Sequence, residues 1–113
     1  DPKNPLYKRS IYFDFDSYVV KPEYQSTLQA HANYLKANKN RSIKIEGNTD
    51  ERGTTEYNLA LGQRRSEAVR KSLALLGVSD SQMEAISFGK EKPKATGSTE
   101  EAWQENRRAD IQY

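Results

Sequence analysis

Cysteine is absent from the 113 residues, which excludes a disulfide framework and any thiolate-bound metal. Histidine occurs once, as His31, so a zinc site assembled from His and Cys has no donor set. His31 falls at the edge of an apolar helical stripe and reads as a partly buried structural residue. No apolar run approaches the length of a bilayer span, and no signal peptide is legible. A surplus of one charge is missing too. The 18 Lys and Arg against 16 Asp and Glu leave a net +2, too little for a generic polyanion binder. Basic and aromatic residues are not interleaved as on a nucleic-acid surface, so no nucleic-acid partner is expected. The chain opens Asp1-Pro2-Lys3 without an initiator Met, and the expectation is a piece of a longer protein.

What is present is enough for one modest core. Seven Tyr, three Phe and one Trp separate the chain from disordered sequences of similar polarity. Residues 1–9 are polar, hold two prolines and read as a flexible arm, leaving residues 10–113 as the folded domain. Ile11, Phe13 and Phe15 alternate with Tyr12, Asp14 and Asp16, the period of a half-buried strand. Ser17 to Lys21 turns the chain, and Pro22 suits the first turn of a helix. Tyr24, Leu28, Ala32 and Leu35 then recur at helical spacing, up to Asn38–Arg41.

Ile43 and Ile45 alternate with Lys44 and Glu46 as a second strand stopped by Gly47. After the loop Asn48–Gly53, Thr54 or Thr55 caps a long helix that runs to about Leu76, with Gly77 as its stop. Ser79 and Gln82 fit a capping box for one short turn, and Met83 to Phe88 makes a third strand. Gly89 to Gly97 is a loop carrying Lys90, Lys92 and Lys94 as an exposed basic turn. Ser98 with Glu101 forms a second capping box for a short helix through about Glu105. Trp103 is expected to pack that helix onto the sheet. Ala109, Ile111 and Tyr113 alternate as the last strand. The order βαβαβαβ without repeats predicts a two-layer α+β sandwich, an α/β arrangement with helices on one face of a four-stranded mixed sheet.

One residue on the long helix is out of place. At about 100° per residue, Tyr57, Leu61, Ala68, Ser72 and Leu76 share a stripe with Val69 at its edge, and Arg65 falls near its middle. An unpaired buried guanidinium would cost several kcal/mol, so carboxylates are expected beside it, with Asp16 and Asp50 as candidates. Two readings follow. Arg65 makes a structural ion pair, or it lines an open site where it meets a ligand carboxylate while Asp50 or Asp16 meets an ammonium. Arg107 and Arg108 precede a strand whose side chains alternate, so one points toward this site and pairs there, and the other is solvated. Glu51 and Glu56 are acids near the loop, but no nucleophile with a base and no hydrolase-like acid pair is legible. The chain therefore does not read as an enzyme, and no cofactor is expected.

The stretch Gly47-Asn48-Thr49-Asp50-Glu51-Arg52-Gly53-Thr54, followed by Glu56-Tyr57-Asn58 and Leu61-Gly62-Gln63-Arg64-Arg65, resembles the OmpA-like domain family. Three further blocks extend the resemblance across residues 11–113. They are Tyr12-Phe13-Asp14-Phe15-Asp16, Ser87-Phe88-Gly89-Lys90-Glu91-Lys92-Pro93 and Asn106-Arg107-Arg108-Ala109. The resemblance implies non-covalent binding of peptidoglycan through the meso-diaminopimelate of its stem peptides. Asp50 and Arg65 would clasp the free amino-acid end of that residue, with Asp16, Asn48, Arg52 and Thr54 completing the site. Many relatives carry His at the position of Asn48, and Pro is common at the position of Thr55. The resemblance further implies a TolB-like periplasmic partner of the Tol envelope system. It also implies an N-terminal lipid anchor on the periplasmic face of an outer membrane, upstream of this chain.

Overall fold

A computed structural model describes residue 4 and residues 6–113. Of the arm expected over residues 1–9, positions 1–3 and 5 lie outside the described residues. Its last two residues already contact the body: the Lys8 carbonyl accepts from His31 Nε2 at 2.7 Å, and the Arg9 carbonyl from the Ile111 amide at 2.7 Å.

The elements run β1 (Ser10–Tyr12), α1 (Gln25–Ala37), β2 (Ile43–Asn48), α2 (Thr55–Leu75), β3 (Met83–Gly89), α3 (Glu100–Asn106) and β4 (Arg108–Gln112). Short 3₁₀ turns at Pro22–Tyr24 and Asp80–Gln82 precede α1 and β3. The strands form one mixed sheet in the order β1-β4-β2-β3. β4 is antiparallel to both β1 and β2, while β2 and β3 are parallel and joined through α2. This is the expected architecture, three helices packed on an open four-stranded mixed sheet. Alternation sorts the side chains between the two faces. Ile11, Ile45, Ala109 and Ile111 join Leu28, Leu35, Val69 and Leu73 of the helices in a single core. Lys44, Glu84 and Gln112 project from the opposite, wetter face.

Several boundaries differ from the sequence reading, each for a local reason. β1 ends at Tyr12 rather than Phe15, because the chain curls back. The Ser17 amide donates to the Asp14 carbonyl at 3.1 Å, and Asp16 adopts φ +55°. Phe15 is left outside the core, 59% exposed. Thr54, not Thr55, caps α2 by accepting from the Tyr57 amide at 3.0 Å. The box expected from Ser79 and Gln82 does not form. Gln82 is buried, and its amide nitrogen donates to the carbonyls of Leu35, Asn38 and Arg41, in the last turn of α1 and the turn after it. α3 is capped by Thr99, whose hydroxyl accepts from the Ala102 amide, while Ser98 turns its hydroxyl to Glu51.

The buried face of α2 is rotated from the expected stripe. It runs through Asn58, Leu61, Gly62, Arg65, Ser66, Val69 and Leu73, and Tyr57 is exposed. The small residues Gly62 and Ser66 face inward, which lets the helix axis approach the sheet. At the crossing, a Cβ on Gly47 would stand 1.7 Å from the Gly62 carbonyl oxygen, so helix and strand backbones are in direct contact there. That contact places the middle of α2 directly over the residues that follow Gly47.

Candidate functional site

The ends of β1 and β2, the start of α2 and the turn before β4 converge at one pole of the sheet. A cavity of about 250 Å³ opens there, walled by Phe15, Asp16, Thr49, Asp50, Arg52, Gly53, Tyr57, Asn58, Leu61 and Arg65. Of the residues predicted for a site, Asp16, Asp50, Arg52 and Arg65 are thus brought together. Asn48 and Thr54 are not in the wall. Asn48 is buried with its amide on the Glu46 carbonyl, and Thr54 serves as the helix cap. Both act from behind, since the backbone carbonyl of Asn48 accepts from Arg65 and that of Thr54 from Asn58.

Arg65 is fully buried, yet among the described residues no carboxylate lies within ion-pair distance of it. The expected direct pairing with Asp16 or Asp50 is not made. Three backbone carbonyls hold the guanidinium instead: Ser17 to Nε at 2.8 Å, Asn48 to NH1 at 2.9 Å and Asp14 to NH2 at 3.2 Å. Burial pulls its pKa down to about 10, partly opposed by the charges of Asp50 and Asp16 and reinforced by that of Arg107. It remains a cation at neutral pH.

Asp50 is also buried. Burial alone would push its carboxyl up. Hydrogen bonds from the Arg52 side chain and amide, with the charges of Arg52 and Arg107, outweigh that and hold it below the usual carboxylate range. Arg52 NH2 lies 2.8 Å from one oxygen, and the Arg52 amide 3.0 Å from the other. Arg107 NH1 approaches to 3.6 Å. Arg52 in turn lies against the rings of Phe15 at 4.2 Å and Trp103 at 3.9 Å. Trp103 therefore belongs to the rim of the site rather than to the core, and its indole N–H donates to Glu51 at 3.0 Å. The Tyr57 hydroxyl donates to the Asp16 carboxylate. Asn58, buried, ties the loop down by donating to the carbonyls of Arg52 and Thr54.

Sequence reasoning left Thr49, Tyr57, Asn58 and Phe15 out of the site, although all four stand inside the motif blocks. Of the two arginines before the last strand, Arg107 turns toward Asp50. Arg108 is not solvated as expected. It is buried on the open face of the sheet and pairs with Asp110 at 2.9 Å. The lysines of the basic turn are engaged: Lys90 donates to the Gly53 carbonyl, and Lys92 and Lys94 sit over Phe88 and Tyr12. His31 is completely buried, between the Tyr113 hydroxyl and the Lys8 carbonyl.

A fixed buried cation and a buried carboxylate facing one small cavity can receive a group that carries both an anion and a cation. The fold around that cavity is known. The OmpA family matches residues 12–107, and the chain belongs to that family. Within it, the likeness is to the peptidoglycan-associated lipoproteins. The chain is 53% identical over 102 residues to the protein of that name from Pseudomonas putida, a match covering 90% of this chain and 61% of that protein. The match to the Haemophilus influenzae protein is 49% over 104 residues, covering 92% and 68%. The chain thus spans less than two thirds of the P. putida protein's length. The crystal structure of the peptidoglycan-associated lipoprotein from Burkholderia pseudomallei superposes with a TM-score of 0.98 at 65% identity, covering 100% of this chain and 96% of that one. The C-terminal domain of Helicobacter pylori MotB shares the fold alone, at a TM-score of 0.83 and 23% identity.

Proposed function

We propose that this domain binds peptidoglycan without covalent linkage, by taking the zwitterionic end of meso-diaminopimelate into the cavity between Arg65 and Asp50. The observation that carries the reading is the state of Arg65. A guanidinium has five N–H donors, and carbonyls take three of them, so two remain for a ligand carboxylate. An arginine buried at this cost, with no carboxylate paired to it, is ready for an anion from outside. The ligand ammonium rests on Asp50, which its arginine neighbours keep ionised, with Asp16 at the mouth as a second acceptor. Arg52 covers the cavity from the solvent side, and Asn48 and Thr54 hold the loop that presents Asp50.

Charge-assisted hydrogen bonds contribute about 1.5–3 kcal/mol each. A few of them leave a modest affinity after the costs of association. For a tether this suffices, because many copies on one membrane act together through effective concentration. The names of the relatives support the coarser part of the reading, association with the wall. The finer part extends it: a lipid anchor upstream of this chain places the domain on the periplasmic face of an outer membrane, and the domain is a binder rather than an enzyme. A TolB-like periplasmic partner is a second role. Its support is the exposed set Phe15, Tyr18, Val19 and Tyr57 around or beside the cavity mouth, which gives a protein partner apolar surface.

The test is a titration with a muramyl tripeptide ending in meso-diaminopimelate, against a lysine-ending control, followed by backbone NMR. Saturable shifts at Thr49–Gly53 and Arg65 with the first peptide alone are expected. Arg65→Met should abolish them in a domain that still folds, at a lower melting temperature because three carbonyls each lose one hydrogen bond. Equal shifts with both peptides, or wild-type binding by Arg65→Met, would sink the reading.

A further inference from the structure

Among the described residues Asp50 is the only buried carboxylate, and a carboxylate in that position needs fixed partners. Arg52 supplies contacts from its own loop, but its side chain is 34% exposed and lies between the rings of Phe15 and Trp103 at the rim. The remaining cation in contact is Arg107. Its side chain is 7% exposed, and it contributes nothing to the cavity wall. Arg107 is built into the sheet. Its carbonyl accepts from the Phe13 amide at 2.8 Å, and its Nε donates back to the Phe13 carbonyl at 3.0 Å. Its NH1 stands 3.6 Å from Asp50 and 3.4 Å from both carboxylate oxygens of Glu100, in the first turn of α3.

We infer that Arg107 is a positioning residue of the peptide site: anchored to the end of β1, it keeps the Asp50 carboxylate turned into the cavity without touching the ligand. The inference rests on the reading of the cavity given above. Alternation along β4 explains why this arginine and not its neighbour has the role, since Arg108 emerges on the opposite face with Asp110. With Arg107 gone, Asp50 keeps only Arg52, and the pair follows the loop toward solvent. Glu100 competes with Asp50 for the same nitrogen, so it sets how fully Arg107 serves the site. The charged groups around Asp50 are Arg52, Arg107, Arg65 and Glu51, with Glu100 reaching it through Arg107.

Three variants of the whole chain test this: Arg107→Gln, Arg107→Lys and Glu100→Gln. Each is read by the Kd for the diaminopimelate tripeptide and by the carboxyl ¹³C titration of Asp50. Arg107→Gln is expected to weaken the peptide roughly fivefold or more, the usual size of a coupling between neighbouring groups. It should also move the Asp50 titration upward. Arg107→Lys keeps the charge, so the titration returns most of the way while the affinity stays below wild type. Glu100→Gln moves the titration the other way without weakening the peptide. A purely structural Arg107 would lower the melting temperature and, although the lost charge still moves the titration, leave the affinity unchanged, which overturns the inference. Tighter binding by Arg107→Gln, from an Asp50 still in place and no longer partly neutralised by Arg107, overturns it as well. If Arg107→Gln does not fold, the Lys and Glu100 variants decide. Wild type that binds no peptide defeats the cavity reading and this inference together. Wild-type binding with no loss in Arg107→Gln defeats this inference alone.

Discussion

Gly62 sits within α2, where helix propensity and packing make opposite demands. Replacing a helix-interior glycine by alanine ordinarily stabilises by about 1 kcal/mol. Here a Cβ on Gly62 would stand 2.3 Å from Ser87 Oγ and 2.9 Å from the Gly47 carbonyl oxygen. The first neighbour can turn away, but only by giving up its hydrogen bond to the Gly89 amide at 3.1 Å, worth about 1 kcal/mol. The second is backbone, and moving it lifts the helix off β2 at an overpacking cost of about 1–3 kcal/mol. The balance is a net loss of roughly 1–3 kcal/mol after the propensity gain. For a domain of 113 residues, an unfolding entropy near 2.1 cal/mol/K per residue makes 1 kcal/mol worth about 4 °C. Gly62→Ala should therefore melt about 4–12 °C lower by calorimetry. Adding Ser87→Gly should recover part of that loss, because it removes the nearer clash. A Gly62→Ala protein that melts higher than wild type would show propensity winning, and with it that the helix does not approach the strand this closely.

Two further outcomes are expected. Burial holds the His31 imidazole below the ordinary histidine value of 6.5, with the Lys8 carbonyl acting against it and the charge of Arg9 acting the same way as burial. The unfolded chain therefore takes up the proton first. The His31 contribution to stability is complete above pH 6.5 and is lost as the pH falls from there toward the depressed folded value. His31→Gln, which can donate to Lys8 and accept from Tyr113, should flatten the melting temperature between about pH 7 and pH 5; an unchanged slope would assign the pH dependence to other groups. Gln82→Ala leaves the Arg41 carbonyl without its donor, while those of Leu35 and Asn38 keep a backbone amide, and should cost about 1–3 kcal/mol in urea unfolding at an unchanged m value. A loss of only a few tenths would mean that water replaces the amide.

The element order was legible because alternation and helical spacing are local properties, and because Gly77 and the Thr54–Thr55 pair mark the limits of α2. The candidate site was legible through Arg65, a charge where an apolar residue belongs. What holds Arg65 was not. Its acceptors are the carbonyls of Asp14, Ser17 and Asn48, and a sequence does not say where carbonyls point. The left-handed turn at Asp16 lies beside two of them; Asp tolerates that conformation better than most non-glycine residues, but most Asp residues do not adopt it, so the residue type alone does not announce the turn. Gln82 and Ser98 misled for a related reason. Each matched a local capping pattern, but distant acceptors competed for the side chain: the carbonyls of Leu35, Asn38 and Arg41 for one and Glu51 for the other. The choice between Arg107 and Arg108 depended on strand register, which the alternating pattern leaves undetermined until Phe13 is paired.

The cavity lies at the end of β1 where Phe15 and Asp16 emerge, while the chain enters that strand from the other end, past Lys8 and Arg9. Tension between a ligand in the cavity and the residues preceding Ser10 therefore runs along β1. The hydrogen bonds that join this edge strand to β4 lie across that direction, as in any antiparallel pair. They are loaded in shear and resist as a set, with the His31 and Ile111 contacts at the entry point sharing the force. Tension applied sideways at Arg9 would open the same bonds one after another. The mechanical strength of the domain is thus directional, greatest along the line joining its chain entry to the cavity.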